Sequence, residues 1–476
     1  MSFQFVDNSD INKKARKLIR SHVMKGKNCG KVRTRRNRHP KLTVDKPTVV
    51  YKAGNSLGGN EITITTPENP QWKSSILAVT KQLANDPSLL SSTTRLAPQT
   101  MLHLQQLSFF ILDVISPPEF CQYTGITEWM WFQLTFYNEA YFHCTIAMAS
   151  ACAAFITEDS NHSLVALYHM SQAYRLINQD LSSSEAFSDT TIAVVAAINL
   201  YDRLYGDPQK AMIHLEGVTR MIAIRGGIRE LAKRSFIIAE KAFRSDIELA
   251  IHCRSKPKFS STDVPRHLIL IDPRDCPEHR EQAEAVLIKS VLYQSVCAEL
   301  REVVLDVLRF SCILDQASRG HKLDPPAYQT TLVYISYRLL ETKLPPATSE
   351  TDHDHDFNIL IQLALIGFQN TFCFGIGRKL ITFPLLVEDF RSVAQTISED
   401  DKSRKIVVFW ALLMGRVSSL TKNDDLWFIP KFKALANELG FRTWPEVSNA
   451  LCAFPWVKIA HDAQGEEFWN TATAAS

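Results

Sequence analysis

Apolar residues recur at helical spacing from about residue 100 almost to the C-terminus, and strand-like alternation of apolar and polar residues is nearly absent. In TMLHLQQLSFFILDVIS, residues 100–116, Leu104, Leu107 and Ile111 fall on one face of a helix, which Pro117 then ends. The same spacing predicts longer helices over residues 136–157, 164–178 and 189–204. The sequence therefore predicts an all-α fold, with a large multi-helix domain over residues 99–476.

The segment YGDPQKAMIHLEGVTRMIAIRGGIREL, residues 205–231, carries the signals for both ends of one helix. Asp207 is a good N-cap residue, and Pro208 suits the first helical position because an N–H there would lack a partner anyway. Gly226 and Gly227 supply the left-handed backbone that ends a helix, and Ile228 begins the next one. Five apolar residues between these signals share one face: Met212, Leu215, Val218, Met221 and Ile222. The spacing predicts a core helix without chemistry of its own.

Two polar stretches interrupt the helical pattern. CRSKPKFSSTDVPRH, residues 253–267, breaks it first, and helical spacing resumes from about residue 278 to 314. ETKLPPATSETDHDHD, residues 341–356, predicts a charged loop. His353 and His355 in this stretch alternate with Asp residues, a set of side chains that could bind a metal ion. The favoured interpretation is a solvated loop whose Asp residues cap a helix starting near Phe357.

Pro, Gly, Ser and Thr break up residues 43–98, and only residues 71–85 look helical. This composition predicts a flexible linker over residues 42–98 with one short helix. GNSLG, residues 54–58, matches the G-x-S-x-G pattern of nucleophile elbows. The sequence after it does not favour the helix that an elbow requires, so a flexible turn is the favoured interpretation.

The remaining composition argues against several classes of protein. Ten Cys are scattered without a C-x-x-C pair and no secretory signal opens the chain, which favours reduced thiols in an intracellular compartment. The most membrane-like stretch, residues 141–157, is short for a bilayer span and contains His143, so we expect a core helix of a soluble protein. With no P-loop, dinucleotide fingerprint or catalytic constellation in the sequence, we expect no enzyme, cofactor or bound metal.

Positive charge is concentrated at the N-terminus. Residues 1–41 hold thirteen Lys and Arg against two Asp, a net charge of +11. Residues 42–476 hold forty Lys and Arg against forty-eight Asp and Glu, a net charge of −8. We call residues 1–41 the basic arm. Such segregation of charge indicates a polyanionic partner or a receptor that recognises basic runs.

The basic arm has two parts. Apolar residues from Ile11 to Val23 share one helical face and Lys and Arg cover the other, which predicts a basic amphipathic helix that ends at Gly26. Beyond Gly26 the residues are too polar to fold alone, so the basic arm is expected to be disordered or partly helical. Ten of its side chains are the candidates for DNA contact or nuclear import: Lys13, Lys14, Arg16, Lys17, Arg20, Lys31, Arg33, Arg35, Arg36 and Arg38.

Four interpretations of the basic arm stay open. KKARK and RTRRNR, fifteen residues apart, form a long-spaced bipartite import signal. The same side chains suit non-specific binding to DNA phosphates. A helix that lies on a membrane surface or binds calmodulin is the third interpretation, and a merely solvated tail is the fourth.

AMIHLEGVTRMIAIRGGIREL, preceded by LVALYHMSQAYRLINQDL and TTIAVVAAINLYDRLYGDPQKA, resembles the helical fungal-specific transcription factor domain that lies downstream of zinc binuclear clusters. The specific part of the resemblance is the pattern of Ala211, His214, Leu215, Gly217, Met221, Arg225, Gly226 and Gly227. The resemblance extends from about Thr100 to the C-terminus and is strongest over residues 160–235. It implies a helical regulatory domain and a role in transcription.

The opening FQFVDNSDINKKARKLIRSHVMKGK is similar to the N-terminus of family members that carry a basic IRSHVM segment in place of the zinc cluster. The cluster needs six closely spaced Cys, whereas the basic arm holds Cys29 alone, with His22 and His39 nearby. These three ligands cannot close a tetrahedral zinc site. The zinc-ordered reading of DNA that the family implies is therefore not expected here.

Residues and resemblance together predict a nuclear regulator of transcription, in which the basic arm serves import and DNA contact and the helical body serves regulation and partner binding. The expected partners are DNA, an import receptor and other transcription regulators. A homodimer or heterodimer is compatible with the sequence, and no membrane is expected as a partner. The alternative is an interaction protein that never touches DNA and acts through DNA-binding relatives.

Overall fold

The computed structural model of the chain describes residues 115–122, 134–135, 137–157, 160–204, 206–271, 286–347, 352–373, 383–418, 420–421 and 424–474. All of them belong to Glu68–Ser476, the second of the two units into which the chain divides. The expected boundaries between basic arm, linker and body lie outside the described residues, and so do the short helix expected over 71–85 and the GNSLG stretch.

Three helices open the described body. They are α1 (Glu139–Thr157), α2 (Ser160–Asp180) and α3 (Asp189–Leu204). The bounds of α3 match the sequence prediction, and the other two helices agree with it within one turn. Helix α3 is buried almost all round because it packs against α1 on one side and later helices on the other. This explains why its sequence is apolar on every face.

The next three helices are α4 (Pro208–Ile224), α5 (Ile228–Arg234) and α6 (Phe236–Cys253). The predicted signals at both ends of α4 are confirmed. The Asp207 carboxylate accepts the backbone N–H of Lys210 at 3.1 Å, and Pro208 occupies the first turn. Gly226 and Gly227 have φ of 95° and 92°, a region that L-residues rarely adopt, and they turn the chain into α5. Helices α3, α4 and α6 pack against one another.

The predicted break after residue 253 is confirmed. Helix α6 ends at Arg254 in the left-handed conformation, with φ of 49°, and two short 3₁₀ turns follow at Ser261–Asp263 and Arg266–Leu268. The chain then continues through α7 (Val291–Ser295), α8 (Ala298–Ser318) and α9 (Pro325–Glu341).

The charged loop expected over 341–356 is partly wrong. Helix α10 spans His353–Cys373, so it starts a full turn before Phe357. The reason is a cap: the Asp352 carboxylate accepts the backbone N–H of His355 at 3.0 Å. An Asp does cap this helix, as predicted, but the residue lies earlier in the DHDHD run.

Five helices complete the body: α11 (Pro384–Thr396), α12 (Lys402–Val417), α13 (Asp425–Leu439), α14 (Trp444–Leu451) and α15 (Lys458–Ala474). Helix α12 is buried on all faces over residues 407–415. Aromatic rings surround it, with Phe409 stacked on Phe432 at 4.8 Å and Trp410 stacked on Phe454 at 5.7 Å between ring centroids. Helices α10, α13 and α15 supply further packing against α12.

One strand-like contact joins distant parts of the body. The Leu323 backbone N–H donates to the Phe120 carbonyl at 2.8 Å, and the Gln122 backbone N–H donates to the Leu323 carbonyl at 2.8 Å. Lys322 also reaches back to the carbonyls of Pro118 and Glu119, at 2.9 and 2.6 Å. This isolated bridge aside, the described residues are helices, turns and loops, so the predicted all-α fold is confirmed.

Candidate functional site

The ten Lys and Arg predicted to contact DNA or an import receptor, from Lys13 to Arg38, all lie outside the described residues. Within the described residues, a set of buried and half-buried ionisable groups lies along α6 and the facing end of α3. We call this set the charged layer; its members are Asp202, Arg203, Glu240, Arg244, Asp246 and Glu248.

A buried ion pair lies at the centre of the charged layer. The Arg203 guanidinium contacts the Glu248 carboxylate, and their side chains are only 7% and 6% exposed. Arg203 also donates to the Ser245 hydroxyl at 3.4 Å. Removing two charges from water is costly, and the attraction between them offsets that cost only when the pair is complete. The pair therefore fixes how α3 sits on α6, with little net gain in stability.

Two further hydrogen bonds join α3 to α4. His214 Nδ1 lies 2.6 Å from Asp202 Oδ2, and since a carboxylate only accepts, the proton is on this nitrogen. The Asn199 side-chain amide donates to the Ala211 carbonyl at 2.6 Å. Ala211 is fully buried at this contact. His214 and Ala211, two residues of the family-like pattern, are thus explained by this helix junction.

Asp246 holds the chain that follows α6. Its carboxylate accepts the backbone N–H groups of Lys258 and Phe259, at 2.8 and 2.9 Å, and the Tyr337 hydroxyl of α9 at 3.0 Å. Burial raises the pKa of Asp246, while these hydrogen bonds act in the opposite direction. The carboxylate replaces the missing backbone partners of the 253–267 loop.

Glu240 and Arg244 lie one helical turn apart on α6. Arg244 donates to Gln329 Oε1 at 2.6 Å and to the Cys373 carbonyl, while the Gln329 amide donates to the Ile115 carbonyl at 2.6 Å. Glu240 is 2% exposed, and its Oε1 has no hydrogen-bond partner among the described residues. Burial raises the pKa of Glu240 to about 7, with Arg244 and Lys241 opposing the shift. Glu240 is therefore a titratable group of the interior near neutral pH.

The geometry of the charged layer serves cohesion between helices. Except for Glu240, its Arg and carboxylate groups are engaged with backbone or side chains of other elements, and the Ser245 hydroxyl faces an Arg side chain instead of a general base. The thiols of Cys144 and Cys373 are buried, and burial raises the pKa of each above its ordinary value, which keeps them protonated and unreactive. Within the described part of the chain, no group of three or more His, Cys, Asp or Glu could hold a metal ion.

A cavity of about 220 Å³ opens between α13 and α15. Phe432, Phe441 and Trp469 form its apolar walls, and Lys433 and Arg442 also line it. Pockets that hold drug-sized ligands usually have about 300–1,000 Å³. The cavity is therefore too small to be taken as an effector site on its volume alone. No helix in the described ranges is long and apolar enough to cross a membrane.

The fold and the charged layer define a class: a large all-helical domain whose buried polar groups organise helix packing. The chain belongs to the fungal-specific transcription factor domain family, because the family model with the description Fungal specific transcription factor domain matches residues 128–444. No curated protein and no solved structure matches the chain. The resemblance of the helical body to this family is thus confirmed, and the chain is a regulator of transcription by family.

The charged layer was missed by sequence reasoning, although a signal for it existed. In FIIAEKAFRSDIELAIHC the carboxylates Glu240, Asp246 and Glu248, together with Lys241 and Arg244, interrupt a helix whose other residues are mostly apolar. A charged residue on a core-facing position of a helix needs a partner, because its burial alone is unfavourable. That rule identifies the three carboxylates, but it does not reveal the partners Arg203, Tyr337 and Lys258.

Proposed function

We propose that this chain is a nuclear regulator of transcription that approaches DNA through its basic arm, while the helical body carries regulation and contacts with other regulators. The observation that carries the proposal is the segregation of charge, +11 on residues 1–41 against −8 on residues 42–476. Duplex DNA attracts an acid-free basic run through its phosphates and repels a net acidic domain.

Ion pairing on the body supports this division of roles. Several exposed cations there lie beside carboxylates, for example Arg220 beside Glu216 at 3.4 Å and Arg229 beside Asp263 at 3.1 Å. Lys233 similarly lies 2.7 Å from Glu230. A cation that already has an acidic neighbour offers less attraction to a phosphate. The basic arm, with no acid from Ile11 to Lys41, has no such neighbour in sequence.

The salt dependence of DNA binding by the full chain tests the proposal. If about five basic side chains meet phosphates, log affinity should fall with log salt at a slope of about −4 to −5, at about −0.9 per phosphate. Replacing Arg33, Arg35, Arg36 and Arg38 by Ala should weaken binding and flatten the slope by about 3 to 4. A matched control removes the same charge from exposed positions of the body: Lys256, Arg266, Lys289 and Lys402.

The arm variant should lose affinity for DNA, and the body variant should not. Random duplexes should compete almost as well as genomic ones, because an arm without an ordered reading helix gains little from base edges. The same arm variant in a fluorescent fusion should move towards the cytoplasm. Binding that is indifferent to salt, or that weakens only in the body variant, would contradict the proposal. Binding that weakens only in the body variant would move the DNA site into the helical body, whereas the absence of DNA binding by the purified chain would favour the second candidate function, an interaction protein that acts through DNA-binding relatives.

A further inference from the structure

Helix α4 presents an unusual outward face. Four residues lie on one narrow strip of the helix, opposite the buried Leu215, Val218 and Ile222; we call them the α4 strip: Ile213, Gly217, Arg220 and Ile224. Ile213 is 42% exposed and Ile224 is 62% exposed, so two branched apolar side chains face solvent. The Arg220 side chain between them is 74% exposed.

Gly217 lies in the middle of this strip and is half-buried, with open space over its Cα among the residues that the structure describes. A Cβ built at Gly217 would meet nothing within 4 Å, and its backbone φ is not in the left-handed region. Glycine inside a helix is less favourable than alanine, because its backbone loses more conformational freedom on folding. A glycine on an exposed helix face is useful when another backbone or a large side chain approaches it closely.

The spacing of the α4 strip reads the same in both directions. Its residues follow one another at intervals of four, three and four. If a second α4 helix lies antiparallel on the strip, each Ile213 meets the partner's Ile224, and each Arg220 lies over the partner's Gly217. Such self-complementarity is what a two-fold symmetric contact requires, since the same patch serves both copies. We propose that the α4 strip is the contact surface for a second copy of this chain.

Charge supports the antiparallel second copy over other arrangements. Glu216 flanks the strip, 3.4 Å from Arg220 and 2.8 Å from Lys258 of its own chain. In the antiparallel pair, Glu216 of each copy lies beside the partner's Arg220, so the facing charges are of opposite sign. A parallel pair would instead place Arg220 against the partner's Arg220, which is unfavourable. An aliphatic pair around a central Arg is also typical of interface composition, in which Arg is enriched.

One pair of short helices buries little surface, so the contact belongs to the weak, transient size class. The inference goes beyond the proposed function, because self-association needs no DNA. It would nevertheless bring two basic arms to one particle, which raises the effective concentration of the second arm for neighbouring phosphates.

Sedimentation of the full chain without DNA tests the α4 strip. The average mass should rise towards that of two chains between about 1 and about 100 μM, the range expected of weak complexes. Ile224→Asp should raise the dissociation constant at least about tenfold, because a carboxylate would be buried in an apolar contact. Ile459→Asp is the matched control, since Ile459 is 54% exposed and lies on α15, away from the strip.

Two further variants separate the contact from an effect on folding. Gly217→Leu should leave the monomer folded, because nothing within 4 Å obstructs a new Cβ, yet it should block the close approach and abolish the dimer. Arg220→Glu should weaken dimerisation by placing like charges together, and the double variant Glu216→Arg with Arg220→Glu should restore it.

A chain that stays monomeric at about 100 μM overturns the inference. A dimer that resists Ile224→Asp and Gly217→Leu also overturns it, because its interface must lie elsewhere. The sedimentation experiment contains no DNA. A failure of the proposed salt-dependent DNA binding would therefore not affect the interpretation of the dimerisation result.

Discussion

Two regions of the body, the charged half around α6 and the aromatic half around α12, hold their helices together by different interactions. Around α6, buried charges join α3, α4 and α9, as in the Arg203 and Glu248 pair. Around α12, aromatic rings join the helices instead: the Phe432 ring centroid lies 4.8 Å from that of Phe409 and 5.0 Å from that of Phe468. Aromatic burial stabilises in proportion to area and tolerates some change of angle. A buried ion pair contributes little net stability but tolerates almost no change, so it selects one arrangement of helices.

This difference matters for a regulatory domain. A region whose cohesion depends on a few charges responds to the loss or gain of one proton or one partner, whereas an aromatic cluster responds mainly to volume. The α4 strip also lies in the charged half, next to the His214 and Asp202 contact. We therefore expect the two halves to differ in which substitutions they tolerate.

The largest effect should come from breaking the central ion pair. Glu248→Ala leaves Arg203 buried without its counter-charge and should lower the free energy of unfolding by about 3–5 kcal/mol. The double variant Arg203→Met with Glu248→Leu removes both charges and should recover most of that loss. Urea unfolding followed by circular dichroism measures both. If the double variant is as unstable as the single one, the pair acts through shape instead of charge.

Glu240 should give the charged half a dependence on pH. Burial raises the pKa of Glu240 from its ordinary 4.5 to about 7. A carboxyl with a raised folded-state pKa stabilises fully below about pH 4.5, and this contribution is lost as the pH rises through about 7. Glu240→Gln should remove the loss and make the variant more stable than the wild type at pH 8, by up to about 3 kcal/mol.

The comparison of interest is the difference between variant and wild type at each pH, because other groups also titrate. Burial lowers the pKa of His461 to about 3 and of His169 to about 4, so these imidazoles cost stability as the pH falls below about 6.5. They do not affect the difference caused by Glu240→Gln. Glu466→Gln, at an exposed position of α15, is the matched control and should leave the profile unchanged. A flat difference between pH 5 and 8 would show that Glu240 is ionised throughout.

A smaller effect should show how little added side-chain volume the aromatic half tolerates. A Cβ at Gly465 would lie 2.6 Å from Trp444 Cη2 and 3.1 Å from Trp456 Cζ2. Gly465→Ala should therefore destabilise by about 1–3 kcal/mol through overpacking. Gly217→Ala is the matched helical glycine in the charged half, where no atom obstructs a Cβ, and should stabilise the monomer by about 0.5–1 kcal/mol. The midpoint temperatures of thermal unfolding of the two variants should shift in opposite directions. Equal shifts would contradict the expected difference between the two halves.

Sequence periodicity predicted the helices well where local signals were complete. The bounds of α3 and both ends of α4 followed from apolar spacing, Asp207, Pro208 and the two glycines, because these signals depend on residues close in sequence. The start of α10 was placed a turn late, because the single run DHDHD offers three Asp residues that could cap the helix, and the structure uses Asp352, the first of them.

The partners of buried charges could not be predicted in the same way. Asp246 meets Tyr337 across 91 positions of sequence, and Arg244 meets Gln329 across 85. Periodicity assigns a residue to a face but carries no information on which distant element covers that face. The basic arm is the reverse case: its charge is evident from composition, and its role stays a prediction, since all ten candidate side chains lie outside the described residues.

The bridge between Cys121 and Leu323 has a consequence for synthesis of the chain. The Gln122 side chain also donates to the Lys322 carbonyl, 200 positions later, and the Phe120 ring packs on Tyr328 at 6.3 Å and Phe372 at 5.7 Å. At about 5–20 residues per second, a ribosome needs roughly 10 to 40 s to make the intervening chain. During that interval Phe120 has none of these partners. The first described residues of the body therefore complete their packing late in translation, and a nascent chain that stalls before α9 exposes an apolar segment to chaperones.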